Sequence, residues 1–221
     1  MNKSNDILIY AACYFVQFAF TWIGKLDRTN RLFDTNGHPT PNRAQLIGLQ
    51  LAGILWLALV PLTELHRPIC SILFSNDMQT FPLMLFFACM LATTAYAAFK
   101  EGRKIDRSLV PDNLAGFLSF YLPVRIAFLC SYEIFFRGYL LFDCINWFGY
   151  IPAILLTSGL TALLHVFYGK REMWVCIPFG ILISCCCIAF NSVWPAIAIH
   201  IAAYAAYEIP MIYYYLTIKT K

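Results

Sequence analysis

The sequence predicts an all-α, polytopic membrane protein of about seven transmembrane helices, with a polar site formed by helices four to seven. Three observations carry that expectation. Of 221 residues, 60% are hydrophobic and only 13% are charged, against about 25% charged in soluble domains. The apolar residues gather into seven runs, each near the length of about 20 helical residues that a bilayer core demands. Between the runs, Lys and Arg alternate from dense to sparse.

The first run, Ile7–Ile23, follows Lys3 and could be mistaken for a secretory signal. No small-x-small cleavage site follows it and it continues through Trp22, so it is expected to stay as a transmembrane helix. The second and third runs, Ala44–Thr63 and Phe81–Phe99, also carry no charge in their interiors. Residues 1–113 are therefore expected to form a three-helix scaffold. The fourth run, Leu114–Phe142, holds Arg125, Glu133 and Arg137; the fifth, Tyr150–Phe167, holds His165. The sixth is Trp174–Phe190, and the seventh, Val193–Leu216, holds His200 and Glu208. Ionisable groups at membrane depth face protein or trapped water, because lipid cannot solvate them. Residues 114–221 are accordingly the expected core around a polar centre. The polar stretches Gly24–Arg43 and Lys100–Asn113 read as loops, and His38 and His66, in polar segments, as solvated side chains.

Alternate connecting segments hold twelve basic residues against two. The positive-inside rule then puts the amino terminus outside and the carboxyl terminus in the cytoplasm. The same bias explains the net charge of +4, so the partner it calls for is the lipid bilayer and no nucleic acid need be invoked. The nine cysteines lie mostly in or beside apolar runs and read as small packing residues without a disulfide framework. Cys185, Cys186 and Cys187 point three ways around a helix and cannot converge on one metal.

The chemistry concentrates in Tyr132-Glu133-Ile134-Phe135-Phe136-Arg137-Gly138. Glu133 and Arg137 are an i,i+4 pair with the acid first, the order that favours a salt bridge on one helix face. Taken alone, the pair is equally an ion pair that fixes helix packing, and Gly138 a point of close helix approach. His165, 32 residues beyond Glu133, and His200, 35 beyond that, shift the balance. With them the chain resembles, over about Leu114 to Glu208, the CAAX protease and bacteriocin-processing (Abi) family of intramembrane glutamic endopeptidases.

The family pattern is Glu-Glu-x-x-x-Arg, then Phe-x-x-x-His, then His-x-x-x-Asn. Here Tyr132 stands at the first glutamate, Thr161 at the phenylalanine and Tyr204 at the asparagine. The resemblance makes that first glutamate the water-activating base. Consecutive helical residues point about 100° apart, so Glu133 takes over the role only with a local rotation. A branch of the family is similar in having an aromatic before Glu-x-Phe-Phe-Arg-Gly and a basic-x-x-Glu-like segment after the first histidine. Lys170-Arg171-Glu172 and Glu208 match that branch, Glu172 having the alternative reading of a solvated loop acid.

Metal-free peptide hydrolysis needs a base for water, a donor for the oxyanion and a proton for the leaving amine. The resemblance implies an intramembrane peptidase acting on a membrane-associated peptide or protein, in a bacterial cytoplasmic membrane. Glu133, with His165, is expected to activate water, His200 and the Tyr204 hydroxyl to hold the oxyanion, Arg137 to orient the carboxylate, and Tyr132 to support. No cofactor is expected. A glutamate and two histidines are also zinc ligand types, but no His-Glu-x-x-His occurs and the three are scattered over separate runs. Tyr204 reads equally as packing, Glu208 as a partner of the site or of a nearby base, Arg125 as a snorkelling cation, and Tyr213-Tyr214-Tyr215 as an interfacial belt. Two other classes stay open: a catalytically inactive scaffold or bacteriocin self-immunity protein, and a small-molecule transporter, which the lack of inverted repeats disfavours. The peptidase reading makes one demand on the fold. His165 lies near the cytoplasmic end of its run and His200 in the outer third of its own, so tilted or broken helices must bring them level.

Overall fold

The computed structural model of the chain describes residues 3–32, 40–64, 73, 81–102 and 114–218. Among these residues every regular element is helical, and seven helices result. α1 is Lys3–Leu26. α2 runs without a break through Arg43–Ile54, Leu55–Leu59 and Val60–Glu64, and α3 is Phe81–Gly102. α4 runs through Leu114–Glu133, Ile134–Leu140 and Leu141–Phe148; α5 is Tyr150–His165, α6 is Lys170–Ala189 and α7 is Trp194–Ile218. By length and composition, α1, α2, α3, α4 and α6 can each cross a membrane, and α5 is a shorter apolar helix. The protein is an all-α, multi-pass membrane protein. His38, His66 and the side chains of Tyr213, Tyr214 and Tyr215 lie outside what is described.

Several helix ends differ from the sequence reading by a few residues, and two of the differences have a visible reason. α4 does not stop at Phe142. Asp143, the residue after that expected end, is buried and accepts a 2.5 Å hydrogen bond from the Tyr10 hydroxyl of α1. The helix ends instead at Gly149, whose φ of +84° only glycine adopts readily. α6 begins at Lys170, before Trp174, because its polar first turn finds partners: Glu172 sits there and pairs with Arg31 at 2.8 Å. A carboxylate at that end also suits the helix dipole.

Two helices carry π-helical turns, Leu55–Leu59 in α2 and Ile134–Leu140 in α4. Such turns are rare and cluster at functional sites. The second begins at the residue after Glu133 and shifts the angular register of the downstream half of α4 relative to the half that ends in the acid. α3 packs along α7, α5 against α6, and α2 against α4. Phe135, Phe136, Tyr139, Leu141 and Phe190 fill the centre, and Tyr10, Cys13 and Tyr14 of α1 reach into it. Tyr14 is tied to α5 by its hydroxyl, which donates to the Leu160 carbonyl at 3.2 Å. Phe15, Trp22, Leu155 and Trp174 point outward, where lipid would meet them.

Candidate active site

Ten consecutive residues of α4, Ser131 to Leu140, are buried. Glu133 and Arg137 lie among them at 1% and 3% exposure. An ionised side chain at such burial is tolerated only when paired and hydrogen-bonded, and both have partners from other helices or their own. His200 of α7 donates from Nδ1 to Glu133 Oε1 at 2.6 Å. The other carboxylate oxygen, Oε2, stands 3.6 Å from Arg137 Nε and has no hydrogen-bond partner. Arg137 reaches onward to α5, donating from Nη2 to Thr161 Oγ1 at 3.4 Å.

Thr161 then carries the connection to the second histidine. Its backbone carbonyl accepts from His165 Nδ1 at 2.8 Å. A carbonyl can only accept, so Nδ1 of His165 bears the proton and Nε2 is left with its lone pair in the neutral ring. An ionised Glu133 likewise only accepts, so Nδ1 of His200 bears a proton. A chain of contacts thus runs His200, Glu133, Arg137, Thr161, His165 through three helices. His165 does not touch Glu133 directly, although it is within electrostatic reach of Glu133, Arg137 and His200. Gly180 of α6 closes the far side: a Cβ there would stand 3.2 Å from Ser158 and 3.3 Å from Arg137 Nη2.

Tyr132 forms a wall of this site. Its ring meets that of His200 edge-on at 5.8 Å and lies 4.7 Å from Phe136, and its buried hydroxyl has no hydrogen-bond partner. Tyr204 stands one turn beyond His200 on α7, but its hydroxyl donates to Glu208 Oε2 at 2.5 Å, away from Glu133. Tyr121 donates to the other oxygen of Glu208 at 3.5 Å. Arg125 is not an isolated snorkelling cation. Its guanidinium lies over the Tyr204 ring at 5.0 Å and the Phe128 ring at 5.5 Å. Glu172 is tied to Arg31, whose guanidinium also covers the Tyr168 ring at 4.7 Å. Burial works against the charge of Arg31, but the hydrogen bond and negative charge of Glu172 outweigh it and raise its pKa.

The structure therefore brings Glu133, Arg137 and His200 into contact, joins His165 to them through Thr161, sets Tyr132 against His200, and turns the Tyr204 hydroxyl elsewhere. Thr161, noted in the sequence only as standing at the family's phenylalanine, is the residue whose connecting role sequence reasoning did not find. Its position four residues before His165, on the same helical face, was the available signal. Among the described residues, no three His, Cys, Asp or Glu side chains gather as a metal-binding group.

Residues 115–206, under half of the chain, match the family model described as type II CAAX prenyl endopeptidase Rce1-like. That agrees with the CAAX protease resemblance of the motif and supports, as a general class, a CAAX-type protease of the membrane. No curated protein and no solved structure matches the chain significantly.

Proposed function

We propose that this protein is an intramembrane peptidase that hydrolyses a peptide bond of a membrane-associated protein or peptide, in a bacterial cytoplasmic membrane with its amino terminus outside. The observation that carries this reading is the state of Glu133. Its carboxylate is buried, one oxygen is fixed by His200 at 2.6 Å, and the other has no hydrogen-bond partner. A carboxylate held in this way is positioned to accept a proton from water at Oε2.

In the proposed reaction, water bound between Glu133 Oε2 and His165 Nε2 loses a proton to Glu133 as its oxygen attacks the scissile carbonyl carbon. His200 in its imidazolium form, which keeps Nδ1–H on the carboxylate and offers Nε2–H, stabilises the developing oxyanion, and the proton taken from water passes from Glu133 to the amine as the C–N bond breaks. Arg137 holds the carboxylate in place and compensates its charge. Tyr204 has no part in the oxyanion site, since its hydroxyl is already donated to Glu208. The π turn after Glu133 supports the idea that this acid, and not the residue before it, faces the reaction.

Turnover of a labelled, lipidated peptide in detergent tests the proposal. Glu133→Gln and His165→Ala are each expected to abolish cleavage while peptide binding persists, and a chelator is expected to leave cleavage unchanged. Retained cleavage in both variants would end the peptidase reading. One observation favours a second reading, an inactive scaffold or self-immunity protein: Tyr132, an apolar wall with no base function, stands where the resemblance expects the water-activating glutamate. Its signature would be binding without cleavage in wild type.

A further inference from the structure

A second polar cluster lies beside the first, where the second half of α1, the turn after it and the first half of α2 meet α4 and the α5–α6 connection. A small cleft there is lined by, among others, Gln17, Thr29, Gln50, Arg125, Phe128 and Tyr168. Its polar walls are unsatisfied. Gln17 Oε1, Thr29 Oγ1, both amide atoms of Gln50 and Arg125 Nε are buried and make no hydrogen bond. Gln17, Thr29 and Gln50 are 5%, 0% and 3% exposed. Tyr121 stands beside Gln50, but its hydroxyl donates to Glu208. Buried groups left this way are few in native proteins, and each calls for a cause.

Size and chemistry together select the occupant. The room inside is about 20 Å³, and one water needs roughly 10–15 Å³ and a few polar partners. A cation would face the Arg125 guanidinium. An anion would face Gln17 Oε1, which is left as an acceptor because Nε2 of the same amide donates to Thr21 Oγ1 at 3.3 Å. Nor does Arg125 call for an anion, since Glu208 already lies within its electrostatic reach. Water both donates and accepts, as the mixed set of Gln17, Thr29, Gln50 and Arg125 requires. Gly53 keeps the space clear, since a Cβ there would come within 2.4 Å of the Phe128 ring and 2.9 Å of Gln17 Oε1.

We propose that this cleft binds one water molecule and holds it in reserve for hydrolysis at Glu133. The supply role rests on the peptidase reading. Each turnover consumes a water, and the bilayer core around the bundle offers none. In the orientation proposed above, the cleft lies on the cytoplasmic side of the site, and one layer of rings separates the two. Tyr168, which lines the cleft, stands 5.5 Å from the His165 ring, and Phe128 stands 6.4 Å from Tyr132, which in turn abuts His200. Gln17, Thr29 and Gln50 precede the stretch that matches the family model, which begins at residue 115. Helices α1 and α2 would thus serve the reaction as well as shield it.

The test follows the water and the rate separately, on the full chain in detergent. X-ray pulses split bound water into hydroxyl radicals that oxidise the side chains beside it, and mass spectrometry reads where. Phe128 is 9% exposed and Tyr150 is 61% exposed; both are expected to be oxidised in wild type, Phe128 by the held water and Tyr150 by bulk solvent. Gln50→Leu, which removes both amide atoms, is expected to lose the label at Phe128 and keep it at Tyr150. It is also expected to lower kcat for a lipidated peptide about tenfold, or about 1.4 kcal/mol of barrier, with KM unchanged. Thr29→Val should act in the same way, and Thr29→Ser, which keeps the hydroxyl, should hold both label and rate near wild type.

An unlabelled Phe128 in wild type, or a label that survives Gln50→Leu, would overturn the inference. So would a label lost with kcat unchanged, or a Thr29→Ser protein that behaves as Thr29→Val does. The expected labelling in a wild type that cleaves nothing would keep the water site and sink the peptidase; cleavage with Phe128 unlabelled would do the reverse.

Discussion

Two buried glutamates in this protein are held in opposite ways. Glu133 is held by a histidine at 2.6 Å and an arginine at 3.6 Å; Glu208 is held by two tyrosine hydroxyls at 2.5 and 3.5 Å. Both are almost fully buried. The partners of Glu208 are neutral donors, one on each of its oxygens. The partners of Glu133 are ionisable, and they leave Oε2 without a hydrogen bond. Burial and residue type therefore do not tell these two acids apart. What separates Glu133 from Glu208 is the capacity of its neighbours to take or compensate charge, together with an oxygen that no protein donor has claimed.

The largest test of this contrast exchanges each acid for its amide. Glu133→Gln is expected to lower hydrolysis of a lipidated peptide by about 10²–10⁴-fold, the span usual for a general base. Glu208→Gln is expected to stay within about tenfold, because an amide still accepts from Tyr204 and its loss is one of hydrogen-bond strength. Similar losses of turnover in the two variants, with both still folded by circular dichroism, would dissolve the distinction.

Next comes the charge on Arg137. Replacing it by leucine strands the Glu133 carboxylate without its cation, a change worth about 3–5 kcal/mol at a buried pair. Thermal unfolding in detergent should show the drop. Arg137→Lys should recover part of it, lacking only the reach to Thr161 Oγ1. Removing the Tyr204 hydroxyl is a smaller perturbation. Tyr204→Phe leaves one oxygen of Glu208 unsatisfied, for about 1–3 kcal/mol of stability, while turnover should change by no more than a few fold. A loss of turnover as deep as that of Glu133→Gln would return Tyr204 to the oxyanion site.

The seven helices were legible in the sequence because one physical requirement, about 20 apolar residues per crossing, leaves so plain a mark. Asp143 defeated the boundary rule because its partner, Tyr10, is 133 positions away, and no local pattern announces such a bond. Within the site, Glu133 and Arg137 were legible from i,i+4 spacing, and their contact with His200 comes from a motif whose parts sit on different helices. Tyr204 shows the limit of that reasoning. It stands four residues from both His200 and Glu208, and only the direction of its side chain decides which it serves. The π turn over Ile134–Leu140 has no sequence signal that we can name, and it supplies the change of register that a helical wheel denies.

The smallest expected effect separates stability from chemistry at one atom. A methyl at position 180 would stand 3.2 Å from Ser158 and 3.3 Å from Arg137 Nη2, close enough that one must shift by a few tenths of an ångström. Gly180→Ala gains about 1 kcal/mol of helix propensity, and crowding of this kind costs about 1–3 kcal/mol, so the net change in stability should be small. Arg137 is the mobile neighbour, its Nη2 held only by a long bond to Thr161. Displacing it disturbs the carboxylate it orients, and turnover should fall several fold with an unfolding temperature near that of wild type. Adding Ser158→Gly should reopen the space and restore the rate. If Gly180→Ala leaves turnover unchanged, the position of Arg137 does not govern Glu133, and the difference between the two glutamates rests on His200 alone.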